Sequence, residues 1–196
     1  MIHDSSEADP SKGETRGPWI VKDSIQKYTN SFITVCEDQV LQPDGQIGTY
    51  ATVRVKRGVT VLPIDEHNQV YLVQQFRYAL NQESLEAVSG SLDDDAETPL
   101  DAAKRELHEE VGIEAAEWID LGVVNPDTSI VMNPMYLFVA KQLTFTEPDP
   151  DGGEVMESVK LSLEEAIAKV INSEITHAPS CVVILKAFSS SIHSVL

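Results

Sequence analysis

The chain has 196 residues, 42% of them apolar, and carries 14 basic against 32 acidic residues, a formal net charge of −18. That length and apolar content suit one cored domain with an added segment. The charge excludes a nucleic-acid backbone or an anionic membrane as the main partner, because both are met through basic faces.

Residues 1–17 are polar, lack the apolar core of a signal peptide and read as a flexible tail. The stretches "PWIVKDS", "SFITVCEDQVL" and "TYATVRVK" then alternate like strands, with "LQPDG" supplying turn residues, so residues 18–57 read as an N-terminal β segment. Residues 58–196 form the main domain. Its first run, "GVTVLPIDEHNQVYLVQQFRYAL", reads as a hairpin turning at "DEHNQ". The stretch "ESLEAVSGSLDDDAET" reads as a loop with an acidic cluster. A helix follows, capped by Thr98, started by Pro99 at its first position and stopped by Gly112. Its apolar stripe is Leu100, Ala103, Leu107 and Val111. "IDLGVV" and "MYLFVAKQLTF" read as strands and "EPDPDGGEVMES" as an acidic loop. "VKLSLEEAIAKVINSEI" is a strand end and a helix whose cap is Ser162, with Glu165 completing a capping box; "APSCVVILKAFSSSI" is a last helix. Strands, one helix, more strands and two terminal helices predict an α+β fold or a helix–sheet–helix sandwich. Cys36 and Cys181 match neither a disulfide framework nor a zinc spacing, and read as free thiols of a reducing cytoplasm. No apolar run reaches the roughly 18 residues of a membrane span.

The first helix poses a physical problem. Glu106, Glu109 and Glu110 fall within five positions of its C-terminal half, on about 100° of its surface beside the buried stripe. Like charges three and four apart destabilise a helix, and its C-terminal end disfavours anions. A solvated acidic face relieved by Lys104 and Arg105 is the bland explanation. A divalent cation is the sharper one, because hard oxygen ligands grouped this way suit Mg²⁺ or Mn²⁺.

The run "GSLDDDAETPLDAAKRELHEEVGI" resembles the signature of the Nudix hydrolases, G-x5-E-x7-R-E-U-x-E-E-x-G-U with U aliphatic. Glu97, Arg105, Glu106, Leu107, Glu109, Glu110, Gly112 and Ile113 all fall in register; the glycine is displaced by one, with Gly90 standing before Ser91. The preceding "EAVSG" also resembles the family's approach to that glycine, which reads as a one-residue insertion after Gly90. The resemblance implies a Nudix-type α/β/α sandwich with a mixed sheet. It implies metal ligation by Glu106, Glu109, Glu110 and the Ser89 carbonyl, with Gly90 and Glu97 as structural support and Arg105 pairing with Glu97.

Outside that signature, "VYLVQQFRYAL" and the C-terminal helices resemble the branch that hydrolyses ADP-ribose and other nucleoside diphosphate sugars. The branch resemblance implies Mg²⁺-dependent hydrolysis of ADP-ribose to AMP and ribose 5-phosphate by a homodimer joined through its N-terminal strands. It makes Arg77 and Glu86 substrate-binding candidates, and Glu154, Glu157, Glu109 and Arg105 catalytic candidates, with a loop glutamate (Glu154, then Glu157) as the base. Trp19, Tyr28 and Phe32 are candidates to stack on a base, and Pro126 to fill a loop position of the branch. Val131 stands where many ADP-ribose enzymes carry an acid, so GDP-mannose or another nucleotide sugar is an alternative substrate. A non-catalytic nucleotide-sugar-binding module is the alternative of another class.

Overall fold

The computed structural model describes residues 13–94, 96–149 and 155–193, with side chains to residue 189. In chain order the elements are β1 (Glu14–Arg16), β2 (Trp19–Thr29), β3 (Ile33–Leu41), β4 (Ile47–Val55), β5 (Gly58–Pro63), β6 (Gln69–Arg77) and β7 (Gln82–Ser91). Then come α1 (Pro99–Val111), β8 (Ile113–Val124), β9 (Val131–Met132), β10 (Met135–Phe145), β11 (Met156–Ser162), α2 (Leu163–Ile171) and α3 (Ala178–His193).

Two compact units result. The first comprises residues 1–56 and 127–133 and holds one sheet in the order β1-β2-β3-β4-β9. Its pairings are antiparallel except for β4 with β9, which are parallel through Val53↔Val131 and Arg54↔Met132. Strand β1 falls inside the stretch read as tail; the rest of that reading, residues 1–12, lies outside the described residues. Trp19 packs edge-on against Tyr50, with ring centroids 5.4 Å apart.

The second unit, residues 57–126 and 134–196, carries strands in the order β11-β6-β7-β5-β10-β8. The sheet is mixed: β5 runs parallel to β10 and antiparallel to β7. Alternate side chains of the same strands feed two cores. Leu62, Val70, Leu72, Leu137 and Val139 pack with Ala166 of α2 and with Val183 and Ile184 of α3. Val59, Val61, Tyr71, Val73, Phe138 and Ala140 pack with Ala102, Ala103 and Leu107 of α1. Helices on both faces of one layer of strands make the expected sandwich.

Two sequence readings are corrected. The turn at "DEHNQ" forms, closed by the Asp65 N–H to the Gln69 carbonyl at 3.0 Å and an Ile64↔Val70 bridge, but the two strands do not pair along their length: β5 pairs with β7 and β10. Alternation reports that a run is extended but says nothing about its neighbour. The "ESLEAVSGS" stretch, read as loop, is β7, paired with β6 on one side and β5 on the other. Its polar character misled because Glu86 is an inward-facing carboxylate, 2% exposed, with partners of its own. The punctuation of the helices holds. Thr98 Oγ1 accepts from the Asp101 N–H, Gly112 takes the left-handed conformation at φ 62°, and Ser162 with Glu165 forms a full capping box. No described helix is long and apolar enough to cross a membrane.

Candidate active site

Arg105 is the hub of the α1 surface. Its Nε donates to Glu97 Oε1 at 3.0 Å, and its Nη2 to Glu97 Oε2 at 3.3 Å and to the Ser91 carbonyl at 2.9 Å. Its Nη1 is shared by two carboxylates, Glu106 Oε1 at 2.8 Å and Glu109 Oε2 at 3.0 Å. Glu97 also accepts the Asp93 N–H at 2.7 Å. The guanidinium therefore sews the loop after β7 to the helix, as the Glu97–Arg105 pairing leads one to expect. It also offsets the like charges that made the helix puzzling. The Arg105 hydrogen bond holds the Glu97 carboxyl below its usual range. Burial works to lower the Arg105 pKa, but the bonds and charges of Glu97, Glu106 and Glu109 outweigh it and raise it.

Gly90 explains why a glycine is needed in this loop. A Cβ built on it would land on the carboxyl group of Glu106. The Glu106 carboxylate thus lies directly against the Cα of Gly90, an approach only glycine permits. It is Gly90, and not Ser91, that receives Glu106; Ser91 instead turns its carbonyl to Arg105. Gly90→Ala is expected to force Glu106 out of its seat. Because only the end of a flexible side chain must move, the fold should lose no more than about 1 kcal/mol, while kcat/KM falls about a hundredfold, read by urea unfolding and initial rates.

Glu110 is half-buried on the same helix, and Ser89 sits on β7 opposite Thr60, whose hydroxyl accepts from Ser89 Oγ at 3.1 Å. Among the described residues, no three acidic, histidine or cysteine side chains converge into a metal cage of their own. The donor set nevertheless fits a hard divalent cation. Every group is an oxygen donor, and Glu106 and Glu109 already share one cationic atom. Mg²⁺ in particular is commonly bound through one or two carboxylates plus waters and substrate phosphate, not by a complete protein cage.

On the neighbouring strands, Arg77 and Glu86 come together in a fork: Nε to Oε1 at 2.9 Å and Nη2 to Oε2 at 2.6 Å. Burial pushes against ionisation of Glu86, but the Arg77 bond and the nearby His177 overcome it and hold its pKa low. Of the two base candidates, Glu154 lies outside the described residues. Glu157 is exposed on β11 opposite Gln74, and it is not a partner of Arg105. In the first unit Tyr28 is 54% and Phe32 60% exposed, with Lys56 Nζ 5.5 Å from the Phe32 ring centre. Pro126 is exposed. His177 and Ser180, which contact the Glu86 group, were not singled out by the sequence. The only local signal was a polar pair three apart at the start of the last helix.

Residues 54–179 match the model of the NUDIX domain, and residues 16–53 that of the nucleoside diphosphate sugar hydrolase N-terminal domain. The chain is 30% identical over 146 residues to a methanol dehydrogenase activator from Bacillus methanolicus, covering 72% of this chain and 77% of that protein. It is 33% identical over 91 residues to the ADP-ribose pyrophosphatase of Mycobacterium tuberculosis, covering 46% and 44% of the two. With an ADP-sugar pyrophosphatase from Mus musculus the identity is 31% over 148 residues, 66% of this chain and 67% of the other. The crystal structure of an ADP compounds hydrolase superposes with a TM-score of 0.79 over 93% of this chain and 98% of that one, at 17% identity, which shows a shared fold.

Proposed function

The chain belongs to the NUDIX family and is a Nudix hydrolase, and on that premise we propose that it hydrolyses the diphosphate bond of a nucleoside diphosphate sugar in a metal-dependent reaction, with ADP-ribose as the substrate and AMP and ribose 5-phosphate as products. The observation that carries this reading is the Glu106–Glu109 pair held around Arg105, with Glu106 lodged against Gly90. The similarity to ADP-ribose and ADP-sugar pyrophosphatases supports the substrate class.

In this reading Glu106, Glu109 and Glu110, with the Ser89 carbonyl, hold the cation, Mg²⁺ or Mn²⁺. When bound, such an ion neutralises the phosphate oxygens and makes water a better nucleophile. Arg105 keeps the carboxylates in place and, with Glu97, fixes the loop that carries Gly90. Arg77, 37% exposed and locked in the Glu86 fork, offers a fixed cation to a phosphate oxygen. A carboxylate that follows β10 in the chain, Glu154 or Glu157 of β11, takes the proton of the attacking water. The reading also makes the enzyme a homodimer joined through its first unit, where Ile25, Tyr28 and Ile47 are 43%, 54% and 82% exposed. In keeping with the free thiols of Cys36 and Cys181, it is placed in the cytoplasm.

The test is a substrate panel of ADP-ribose, ADP-glucose, GDP-mannose and 8-oxo-dGTP with Mg²⁺, read by product chromatography. Preferred cleavage of ADP-ribose to AMP supports the proposal. Preferred cleavage of GDP-mannose keeps the mechanism and changes the substrate. Binding without cleavage of any of them overturns the reading in favour of a non-catalytic module.

A further inference from the structure

Glu86 lies outside the Arg105 network, yet it is among the most enclosed carboxylates of the second unit, at 2% exposure. Its fork with Arg77 can fix the guanidinium plane only if the carboxylate is itself fixed. The β7 backbone sets its Cα, but three side-chain torsions separate that atom from the oxygens. Ser84, two residues back on β7, hydrogen-bonds the carboxylate, and a further constraint comes from the start of α3. His177 Nδ1 lies 3.3 Å from Glu86 Oε2 and 2.8 Å from Ser180 Oγ. Ser180 Oγ in turn accepts the backbone N–H of Ala87, the residue after Glu86, at 2.9 Å. His177 is held by its own backbone, whose carbonyl accepts the Cys181 N–H at 3.0 Å at the head of the helix. Burial disfavours the charged imidazole, so His177 is neutral near pH 7. Its Nδ1 lies between Ser180 Oγ and the Glu86 carboxylate, so the ring buttresses the carboxylate from the side of α3.

We propose that His177 is a positioning residue: acting through Glu86, and anchored by Ser180, it sets the orientation in which Arg77 receives a phosphate oxygen of the substrate. The chain of contacts runs from the head of α3, through β7, to Arg77 at the end of β6, and ties two consecutive strands to a helix about 90 residues further along the chain. Arg77 touches the ligand; His177 does not. The identity of that ligand rests on the nucleoside diphosphate sugar reading, whereas the coupling of His177 to Arg77 does not.

The test compares full-length wild type with His177→Ala and His177→Asn, in two measurements. The first is the ¹⁵N–¹H signal of Arg77 Nε, assigned by its loss in Arg77→Lys. It should be slow to exchange in the wild type, broadened or lost in His177→Ala, and restored in His177→Asn, whose amide can donate from near the Nδ1 position. The second is steady-state hydrolysis of ADP-ribose. KM should rise about tenfold in His177→Ala, the size of one ordinary hydrogen bond, with kcat within about threefold. His177→Asn should bring KM back toward wild type. An unchanged Arg77 signal with unchanged KM overturns the inference. So does an equal loss in both variants accompanied by a lowered Tm, which is the mark of a merely structural residue. If the wild type cleaves no nucleotide sugar, the proposed function falls, and the Arg77 signal alone decides whether His177 positions it.

Discussion

Replacing Glu106 by glutamine is expected to lower kcat/KM about a thousandfold while leaving the protein folded. The size follows from what the substitution removes. Glutamine keeps the shape that fits against Gly90 and keeps an oxygen for Arg105 Nη1, so the local packing survives. It loses the negative charge that would help retain a divalent cation beside an anionic diphosphate. Removing one preorganised electrostatic group from a site of this kind costs about a hundred- to a thousandfold, and here the lost group would also weaken metal retention. Initial rates with ADP-ribose at saturating Mg²⁺, alongside a thermal melt, check it. Activity above a tenth of wild type would mean that the Glu106 carboxylate serves only the Arg105 network.

Arg105→Ala is expected to give the largest loss of stability, about 2–3 kcal/mol. Breaking a buried ion pair from one side costs about 3–5 kcal/mol, and the figure is reduced here because the group is partly open to solvent. The substitution removes the partner of three carboxylates at once. Glu97, Glu106 and Glu109 are 15%, 13% and 33% exposed, too enclosed for water to replace the guanidinium fully. It also frees the loop that Arg105 ties down through the Ser91 carbonyl. Urea unfolding at pH 7 reads the loss. Its pH dependence has a definite sign. The folded-state pKa of Glu97 is depressed, chiefly by its Arg105 hydrogen bond, so the stability it contributes is full above the ordinary carboxylate range and fades as pH falls through the folded value. The gap between wild type and Arg105→Ala should therefore be widest near neutrality and narrow in acid.

The helix and its carboxylates were legible in the sequence because their causes are local. Thr98, Pro99 and Gly112 act within one turn of the helix ends, and the spacing of Glu106, Glu109 and Glu110 places them on one patch without knowledge of the rest of the chain. The pairing of Glu97 with Arg105 was reached through the family resemblance, and the structure shows that contact. What stayed hidden depends on partners distant in sequence. Strand β7 looked like a loop because an isolated reading cannot see that Arg77 and His177 accommodate a buried Glu86. The expected β5–β6 strand pairing failed because two alternating runs joined by a turn are also what adjacent strands with other neighbours look like. Residues 127–133 leave the second unit and add β9 to the sheet of the first, and nothing in "DTSIVMN" distinguishes that from an ordinary loop. His177 was invisible for the same reason: its partner is 91 positions away, and only the packing of α3 on the sheet brings the two together.

We propose that the α1 carboxylates around Arg105 form a metal-dependent centre for cleaving a nucleoside diphosphate sugar. The most direct measurement follows ADP-ribose by ³¹P NMR with enzyme stripped of metal, then with Mg²⁺ restored, for wild type and Glu110→Gln. No cleavage is expected without metal, with conversion to AMP and ribose 5-phosphate on adding Mg²⁺ to the wild type and little or none for the variant. Cleavage that persists in chelator, or that survives Glu110→Gln undiminished at limiting Mg²⁺, would contradict the proposal.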